Sequence, residues 1–162
     1  MPPKIKLSYF DIEGIAEKIR LALKIGNLDF VDERVSFAQW PELKAKSPFG
    51  SLPIMTIDDS PPITQSYAML RYIGRLTNMY PVEPELALRI DEVCGLQEDL
   101  SRAIFPSGLI VRNPQALGYP SDISQEERTK IQAKVRAALV AEGGDFPRFL
   151  GYFEGSLNPE NW

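Results

Sequence analysis

Two short segments of the chain contain residues that together could bind an extended, peptide-like anion. The first is Ser51-Leu52-Pro53, at the entrance to an apolar run. Because proline cannot donate a ladder hydrogen bond, Pro53 is expected at the first residue of a strand. The second is Gln65-Ser66, which opens a helical pattern where unpaired backbone N–H groups attract a carboxylate. Together the segments predict a slot for an extended anionic ligand.

The composition excludes several kinds of chemistry. The 162 residues include no histidine and a single cysteine, Cys94. Histidine-based triads, imidazole general bases and most catalytic zinc sites are therefore excluded, as are intramolecular disulfides and a C-x-x-C redox pair. Any chemistry must use tyrosine, serine, lysine, arginine or carboxylate side chains, or a reactive group of the substrate itself. We expect no metal.

Charge and hydropathy narrow the choice of partners. A formal net charge of −4 argues against nucleic acid, because proteins that bind nucleic acids carry basic patches. No apolar run approaches the roughly 18 residues of a membrane span, and the N-terminus, with Lys4 and Lys6, lacks the apolar region of a signal peptide. We therefore expect a cytoplasmic protein without a membrane span.

Residues 1–80 are expected to form a compact α/β unit with a mixed sheet. Ile5, Leu7 and Tyr9 alternate with polar residues, as in a strand, and the order of elements is β-α-β-α-β-β-α. After the first strand we expect a helix from past Gly14 to a stop at Gly26-Asn27, a strand at 30–35, an irregular segment containing Trp40 and Pro41, the strand that begins at Pro53, a short strand at Ile63-Thr64 and a helix ending near Thr77.

Residues 84–162 are expected to form a second, wholly helical domain. The expected elements are a helix from Leu86 to Phe105, a loop from Pro106 to Asp122, a helix opened by a Ser124–Glu127 capping box, and a kink or break at Gly143-Gly144. Two long helices offer too little partner surface for a core of their own, so either they pack on the first unit and another subunit or the chain is incomplete.

Three dipeptides in this order, followed by a helical domain, resemble the cytosolic glutathione transferases. They are Tyr9-Phe10 at the end of the first strand, Leu52-Pro53 before the third and Gln65-Ser66 at the third helix. The likeness is greatest to the tyrosine-type classes, Sigma with Mu, Pi and Alpha nearby, and covers residues 4 to about 152. It implies a thioredoxin-like N-terminal domain, an all-α C-terminal domain, glutathione as co-substrate and a homodimer.

The resemblance gives Tyr9 the central role. It matches the tyrosine that hydrogen-bonds the glutathione sulfur, and a phenol donor aimed at sulfur favours the nucleophilic thiolate over the thiol. The substrate would thus supply the thiol that the protein lacks. The alternative is a half-buried strand tyrosine whose hydroxyl is tied to the backbone.

Other residues match positions that bind the rest of glutathione. Trp40 and Lys44 match the indole and ammonium that bind the glycine carboxylate, a role that both donors suit. Leu52 matches the residue whose backbone pairs with the cysteinyl unit, and Pro53 the family's cis-proline. Ser51 stands where glutamine usually precedes Leu-Pro, which could cost a side-chain hydrogen bond to glutathione. Alternatively, Trp40 anchors an irregular segment and Lys44 is solvated.

The γ-glutamyl end of glutathione is assigned to three residues. Gln65 and Ser66 match the pair that grips this end, with Ser66 and the helix start taking its α-carboxylate. The alternative is simple N-capping by Thr64 or Ser66. Asp99 matches an acid that reaches across the dimer toward the γ-glutamyl ammonium, although it could equally be a solvated helix acid. Phe49 matches an aromatic residue that some classes insert into the partner subunit, or is a surface or core phenylalanine.

The sequence departs from the family pattern in two further places. Glu13 and Ile15 stand where arginines are common, and an inward-pointing Glu13 would oppose thiolate formation. The chain also ends, at Gly155 to Trp162, before the family's further helices. We therefore expect part of the core and one wall of the electrophile pocket to be absent.

Three functions remain open on the sequence alone. The first is glutathione transfer, in which the Tyr9-stabilised thiolate attacks an electrophilic carbon of a small apolar substrate. The second is a glutathione-dependent isomerase of the prostaglandin D synthase kind, which uses the same thiolate. The third is a non-catalytic binding or structural protein like the ligandins and lens S-crystallins.

Overall fold

The N-terminal unit is built on a three-stranded mixed sheet. A computed structural model describes residues 2–158, and the chain divides into two compact units between Val82 and Glu83. The strands are β1 (Ile5–Phe10), β2 (Phe30–Val35) and β3 (Ile54–Ile57), in the order β2-β1-β3. β1 pairs with β2 in parallel and with β3 antiparallel. This mixed sheet agrees with the predicted one.

Helices connect and cover these strands. They are a 3₁₀ turn (Gly14–Ala16), α1 (Glu17–Ile25), α2 (Trp40–Lys46) and α3 (Ser66–Leu76). Two expectations need correction. The segment around Trp40 is largely helical rather than irregular, because Pro41 occupies the first turn, where its missing N–H costs nothing. The expected short strand at Ile63-Thr64 is reduced to an isolated bridge between Met55 and Ile63.

One apolar core lies between the sheet and the helices α1 and α3. Its largest fully buried side chains are those of Leu7, Ile19, Leu23, Met55, Met69 and Ile73. They come from β1, α1, β3 and α3. The core therefore links the elements that begin or end at the three dipeptides of the predicted site, whereas α2, which contains Trp40 and Lys44, contributes no buried residue. The fold is the thioredoxin-like α/β unit that the sequence predicts.

A polar cluster fixes β1 against β2 on the solvent side. The buried Ser8 hydroxyl donates to the Glu33 carboxylate, and Lys6 donates to the same carboxylate at 3.2 Å. The Ser8 hydrogen bond, with the contribution of Lys6, lowers the pKa of Glu33. These groups lie within the sheet and take no part in the site described below.

Between residues 83 and 158 the second unit contains three helices, α4 (Pro84–Arg112), α5 (Gln125–Val140) and α6 (Asp145–Ser156), with a 3₁₀ turn at Pro114–Leu117. The prediction that the first helix ends at Phe105 is wrong, since α4 runs through Pro106 to Arg112. Its last turns contain buried Ser107 and Ile110. The Gln132 side-chain amide of α5 also donates to the Ser107 carbonyl at 2.7 Å. Tertiary packing therefore outweighs the cost of the proline.

The helix starts and breaks of the second unit agree better with the sequence. The Ser124 hydroxyl accepts from the Glu127 backbone N–H at 3.2 Å, as in one half of a capping box. The predicted break at Gly143-Gly144 separates α5 from α6, and Gly143 has a left-handed φ of 74°. No helix within residues 2–158 is long and apolar enough to span a membrane. Residues 159–162, part of the segment on which the expected early end rests, lie outside the described residues.

Candidate functional site

The sheet brings most of the predicted site residues to one edge. β1 pairs with β2 up to Phe10 and Val35, so the parallel strands end together and the chain continues from β2 into α2. The antiparallel pairing of Ser8 with Ile54 places Leu52-Pro53 opposite Tyr9-Phe10, just past the last strand pair. The carboxyl ends of parallel strands are where open α/β sheets bind ligands.

The last segment joins the same edge through its own bridge. Ile63 pairs antiparallel with Met55, so residues 64–66 run back toward the start of β3 and lie next to Pro53. Ser66 is the first residue of α3. The edge is thus formed by the end of β1, the start of α2, the start of β3 and the start of α3.

Tyr9 has the environment that a donor to a ligand needs. It is only 8% exposed, and its hydroxyl oxygen accepts a hydrogen bond from the Ile15 backbone N–H at 3.4 Å, a long and weak contact. Among residues 2–158 the hydroxyl donates to no atom. Its oxygen is therefore engaged while its proton remains available for an external acceptor. The alternative, a strand tyrosine whose hydroxyl is tied to the backbone, therefore holds in part, through the weak bond from the Ile15 N–H.

Aromatic contacts join Trp40 to the end of β1. Phe10 lies edge-on to the Tyr9 ring at 5.7 Å and to the Trp40 ring at 5.9 Å, and it stacks on Phe37 at 4.5 Å. Trp40 therefore packs beside the residue that follows Tyr9. Phe37 was not anticipated, because its contact depends on the turn between β2 and α2. Lys44 lies one helical turn after Trp40 on α2.

A buried serine orders the segment before the Leu-Pro pair. The Ser47 hydroxyl accepts from the Ser51 backbone N–H at 3.1 Å and donates to the Ser51 carbonyl at 2.9 Å. The next peptide bond, Leu52–Pro53, is cis, as expected. No backbone hydrogen bond joins Leu52 to any other residue in the described range 2–158. Ser47 thus fixes the chain at Ser51, and the Leu52 peptide groups remain available to a ligand.

The start of α3 has an unusual backbone. Gln65 immediately precedes the helix with φ 76° and ψ 98°, and its side chain caps nothing. Positive φ is rare for residues other than glycine, and such strain is concentrated at functional sites. Thr64 is buried, and its hydroxyl has no hydrogen-bond partner among residues 2–158. The alternative of N-capping by Thr64 or Ser66 gains no support, because the Thr64 hydroxyl bonds nothing and Ser66 is already the first residue of α3.

Three other residues singled out from the sequence do not belong to the segments that form this edge. Asp99 is on α4 in the second unit, where it pairs with Arg102 at 3.1 Å. Phe49 is 75% exposed, which excludes a core role. Glu13 is exposed, so its carboxylate is hydrated rather than buried beside Tyr9.

Two further features bear on cofactors and substrates. No group of three or more cysteine, aspartate or glutamate side chains that could bind a metal occurs within residues 2–158. The second unit contains an open groove of about 910 Å³ between α4 and α6, lined by side chains that include Leu86, Val93, Leu96 and Tyr152. None of the residues predicted to bind glutathione lines it.

Comparison with known proteins finds similarity to glutathione S-transferases over part of the chain. The family model described as "Glutathione S-transferase, N-terminal domain" matches residues 15–76. Glutathione S-transferase 1 of Ascaris suum is 35% identical over 104 residues, which are 64% of this chain and 50% of that protein. The chain spans about half the length of the curated relatives that it matches.

Comparison with solved structures also finds a glutathione S-transferase, together with a prostaglandin synthase. The glutathione S-transferase of Ascaris lumbricoides is 30% identical with a TM-score of 0.63, over 79% of this chain and 59% of that one. Prostaglandin synthase D of Nilaparvata lugens is 26% identical with a TM-score of 0.69, over 86% of this chain and 62% of that one. Both similarities extend beyond the residues that the family model matches.

Proposed function

We propose that the chain belongs to the glutathione transferase family, that it binds glutathione at the sheet edge and that it transfers glutathione to small apolar electrophiles. The observation that best supports this proposal is the convergence of four segments at that edge. They contribute Tyr9, Trp40 with Lys44, Leu52-Pro53 with Ser51, and Gln65-Ser66. The names of the relatives support glutathione as the ligand.

In this proposal each segment binds one part of an extended tripeptide. Lys44 and the Trp40 indole N–H take the glycine carboxylate, while the peptide groups of Leu52 pair with the cysteinyl unit. Gln65 and Ser66 take the γ-glutamyl end, where the N–H groups at the start of α3 favour a carboxylate. The Ser47 hydroxyl fixes the backbone of Ser51, which maintains the conformation of the middle of the slot.

Tyr9 would then supply the catalytic hydrogen bond. Its hydroxyl proton is directed to the glutathione sulfur, which stabilises the thiolate after the thiol proton leaves to solvent. The thiolate attacks an electrophilic carbon, forms a carbon–sulfur bond, and expels a leaving group such as chloride with its bonding electrons. No redox change and no protein nucleophile are needed.

The partners and location of the protein are part of the same proposal. We infer a cytoplasmic homodimer in which Phe49, exposed on one protomer, contacts the partner subunit. Asp99 would approach the γ-glutamyl ammonium bound by the partner. A charge on an exposed helix face costs little to place there, and its Arg102 partner is similarly exposed.

A second candidate reaction uses the same thiolate. Similarity to the prostaglandin synthase D of Nilaparvata lugens favours glutathione-dependent isomerisation as the alternative. The two reactions share the Tyr9 step and differ in the second substrate, so an assay with both substrate types separates them. A binding protein without catalysis is the third outcome.

The Tyr9→Phe variant tests the proposed reaction. Removing a hydrogen bond to a charged group costs about 1.5–3 kcal/mol, so conjugation of glutathione to a chloronitrobenzene should fall about 10- to 100-fold. The pKa of the bound thiol should rise by about 1–2, while glutathione affinity changes little. Turnover should be measured with calorimetric glutathione binding on the same samples.

The outcomes separate the three functions. Conjugation that is lost in Tyr9→Phe supports the transferase. Glutathione binding with isomerase turnover alone supports the second candidate, and binding without turnover supports a non-catalytic protein. A folded wild-type protein that does not bind glutathione contradicts the proposed site, and unchanged turnover in Tyr9→Phe removes Tyr9 from the mechanism.

A further inference from the structure

Arg20 is a buried arginine that belongs to none of the expected site residues. It lies on α1 and is only 5% exposed. Its guanidinium pairs with Glu17 and Asp32, each at 3.1 Å. A buried charge needs such partners, but one carboxylate would suffice to neutralise it. The remaining donors of the guanidinium point elsewhere.

The same guanidinium also donates to the backbone of the loop that follows Tyr9. The Arg20 guanidinium donates to the carbonyls of Ile12 at 2.9 Å, Glu13 at 3.4 Å and Phe10 at 3.4 Å. One side chain therefore spans residues 10–13. The two N–H groups of Nη1 are shared among the acceptors of Ile12, Glu13 and Glu17, and the contacts to Glu13 and Phe10 are long. The planar guanidinium fork suits such a set of acceptors, which a single ammonium could not contact together.

The same loop delivers the groups that touch the Tyr9 hydroxyl. It leads directly to Gly14, which has a left-handed φ of 47°, and to Ile15, whose N–H donates to the Tyr9 oxygen. A Cβ atom at Gly14 would lie 2.5 Å from the hydroxyl oxygen and 3.0 Å from a ring carbon. The hydroxyl thus has room only because residue 14 is glycine and its loop is fixed.

The contribution of Arg20 is one of position rather than charge. Its guanidinium carbon lies 5.7 Å from the Tyr9 ring centroid, whereas each carboxylate partner lies 3.1 Å from a guanidinium nitrogen. Opposite charges at the shorter distance compensate most of the field that reaches the ring. The three bonds to carbonyls are not cancelled by an opposing contact, and they fix the backbone path of the loop.

We propose that Arg20 is a positioning residue which, through residues 10–14, seats the Tyr9 hydroxyl so that its proton faces the ligand. This inference rests on the proposed function, since the seated proton matters for catalysis only if Tyr9 serves a thiol. It also has a purely structural consequence, because Ile15 can donate to the Tyr9 oxygen only while the loop is fixed.

The kinetic test compares Arg20→Gln and Arg20→Lys with Arg34→Gln. Arg34 also pairs with Asp32, at 2.7 Å, and contacts the loop only through the exposed Asp11 carboxylate, at 3.1 Å, without bonding a loop carbonyl. A small misplacement of a catalytic group can cost about 100-fold, so both Arg20 variants should lose about 10- to 100-fold in kcat with a glutathione KM changed less than about 3-fold. The lysine variant should fail to rescue kcat, because an ammonium cannot reach three carbonyls. Arg34→Gln should retain wild-type kcat.

A second variant covers the case in which Arg20 variants do not fold. Gly14→Ala should push the Tyr9 hydroxyl aside and lose kcat to a similar extent. Its matched control is Gly118→Ala, which imposes the same left-handed strain at φ 80° where a new Cβ meets nothing within 4 Å. Wild-type kcat in a folded Gly14→Ala variant would overturn the proposed seating of the hydroxyl.

A structural readout separates this proposal from the proposed function. Amide hydrogen exchange at Ile15 should be about 3-fold or more faster in Tyr9→Phe and Arg20→Gln than in wild type, and unchanged in Arg34→Gln. If that pattern appears in a protein that does not conjugate glutathione, the proposed function fails while the seating of Tyr9 stands. Unchanged Ile15 exchange and unchanged kcat in folded Arg20→Gln would overturn the role of Arg20, whatever the fate of the proposed function.

Discussion

Single charged residues on α2 differ in whether their charge is available to a ligand. The Lys46 ammonium donates to Glu42 at 2.8 Å, an i,i+4 pair that also lowers the pKa of that carboxyl. Lys44 has no carboxylate within ion-pair distance among residues 2–158. The two lysines lie two residues apart on one helix. Comparing them therefore tests which ammonium binds the glycine carboxylate.

Replacing Lys44 by alanine should weaken glutathione binding more than replacing Lys46. An exposed ion pair contributes about 0.2–1 kcal/mol, which corresponds to a loss of up to about 5-fold in affinity for Lys44→Ala. The loss should shrink at high salt, because an exposed pair is screened. Lys46→Ala is the matched control and should bind as wild type does. Calorimetry at two salt concentrations measures both, and equal losses in the two variants would exclude a specific role for Lys44.

At this scale the sequence indicates residues whose chemistry is visible in a short motif. Tyr9, Leu52-Pro53 and Gln65 each belong to such a motif. Ser47 and Arg20 do not, because their importance depends on bonds to backbone atoms of a loop that folds back onto them. A serine five residues before Leu52 or an arginine in an amphipathic helix has no distinguishing local signal. Only the folded chain shows which carbonyls these side chains reach.

The start of α3 is the element whose backbone deviates most from ordinary helical geometry. Gln65 has φ 76° without being glycine, and such conformations cost of order 1–3 kcal/mol. The surrounding bridge from Ile63 to Met55 and the helix that follows must therefore maintain it. In the proposed function this geometry orients the N–H groups of the helix start toward the γ-glutamyl carboxylate.

Two substitutions of Gln65 should separate its backbone strain from its side chain. Gln65→Ala and Gln65→Gly both remove the amide, but only glycine adopts this φ without a steric penalty. We expect Gln65→Gly to be more stable than Gln65→Ala by about 1 kcal/mol, after the extra entropy of unfolded glycine is subtracted. Chemical denaturation measures the difference. Both variants should lose similar glutathione affinity, and equal stabilities would show that the backbone at residue 65 is not strained.

Helices and strands could be predicted where the hydrophobic pattern agrees with the residues that begin or end an element. Gly26-Asn27 ends α1 as expected, and Asn27 adopts φ 52°. The prediction from this pattern failed at Pro106, a residue type that usually ends a helix but here lies inside α4. The helix continues because its last turns pack against α5, whose Gln132 bonds the Ser107 carbonyl. Such long-range compensation lies outside any local sequence window, and this explains why the end of α4 was predicted wrongly.

The two units differ in how much apolar surface each buries. Most of the buried apolar side chains belong to the first unit, where β1, α1, β3 and α3 meet in one cluster. Between residues 83 and 158, the large apolar side chains that are buried are Ile110 and Phe149. Each buried side chain of this kind contributes about 1.5–3 kcal/mol, so the first unit has far more stabilisation to draw on.

Local stability should therefore differ between the units. Amides with the slowest hydrogen exchange should come from β1, α1 and α3, and those of α5 should exchange at least about tenfold faster, because α5 has no buried residue. Glutathione should slow exchange further in the first unit, as any ligand that binds only the folded state does. Exchange measured by mass spectrometry with and without glutathione tests both points. Protection of residues 125–140 equal to that of β1 would contradict this distribution of stability, and a ligand effect confined to the second unit would contradict a glutathione site at the sheet edge.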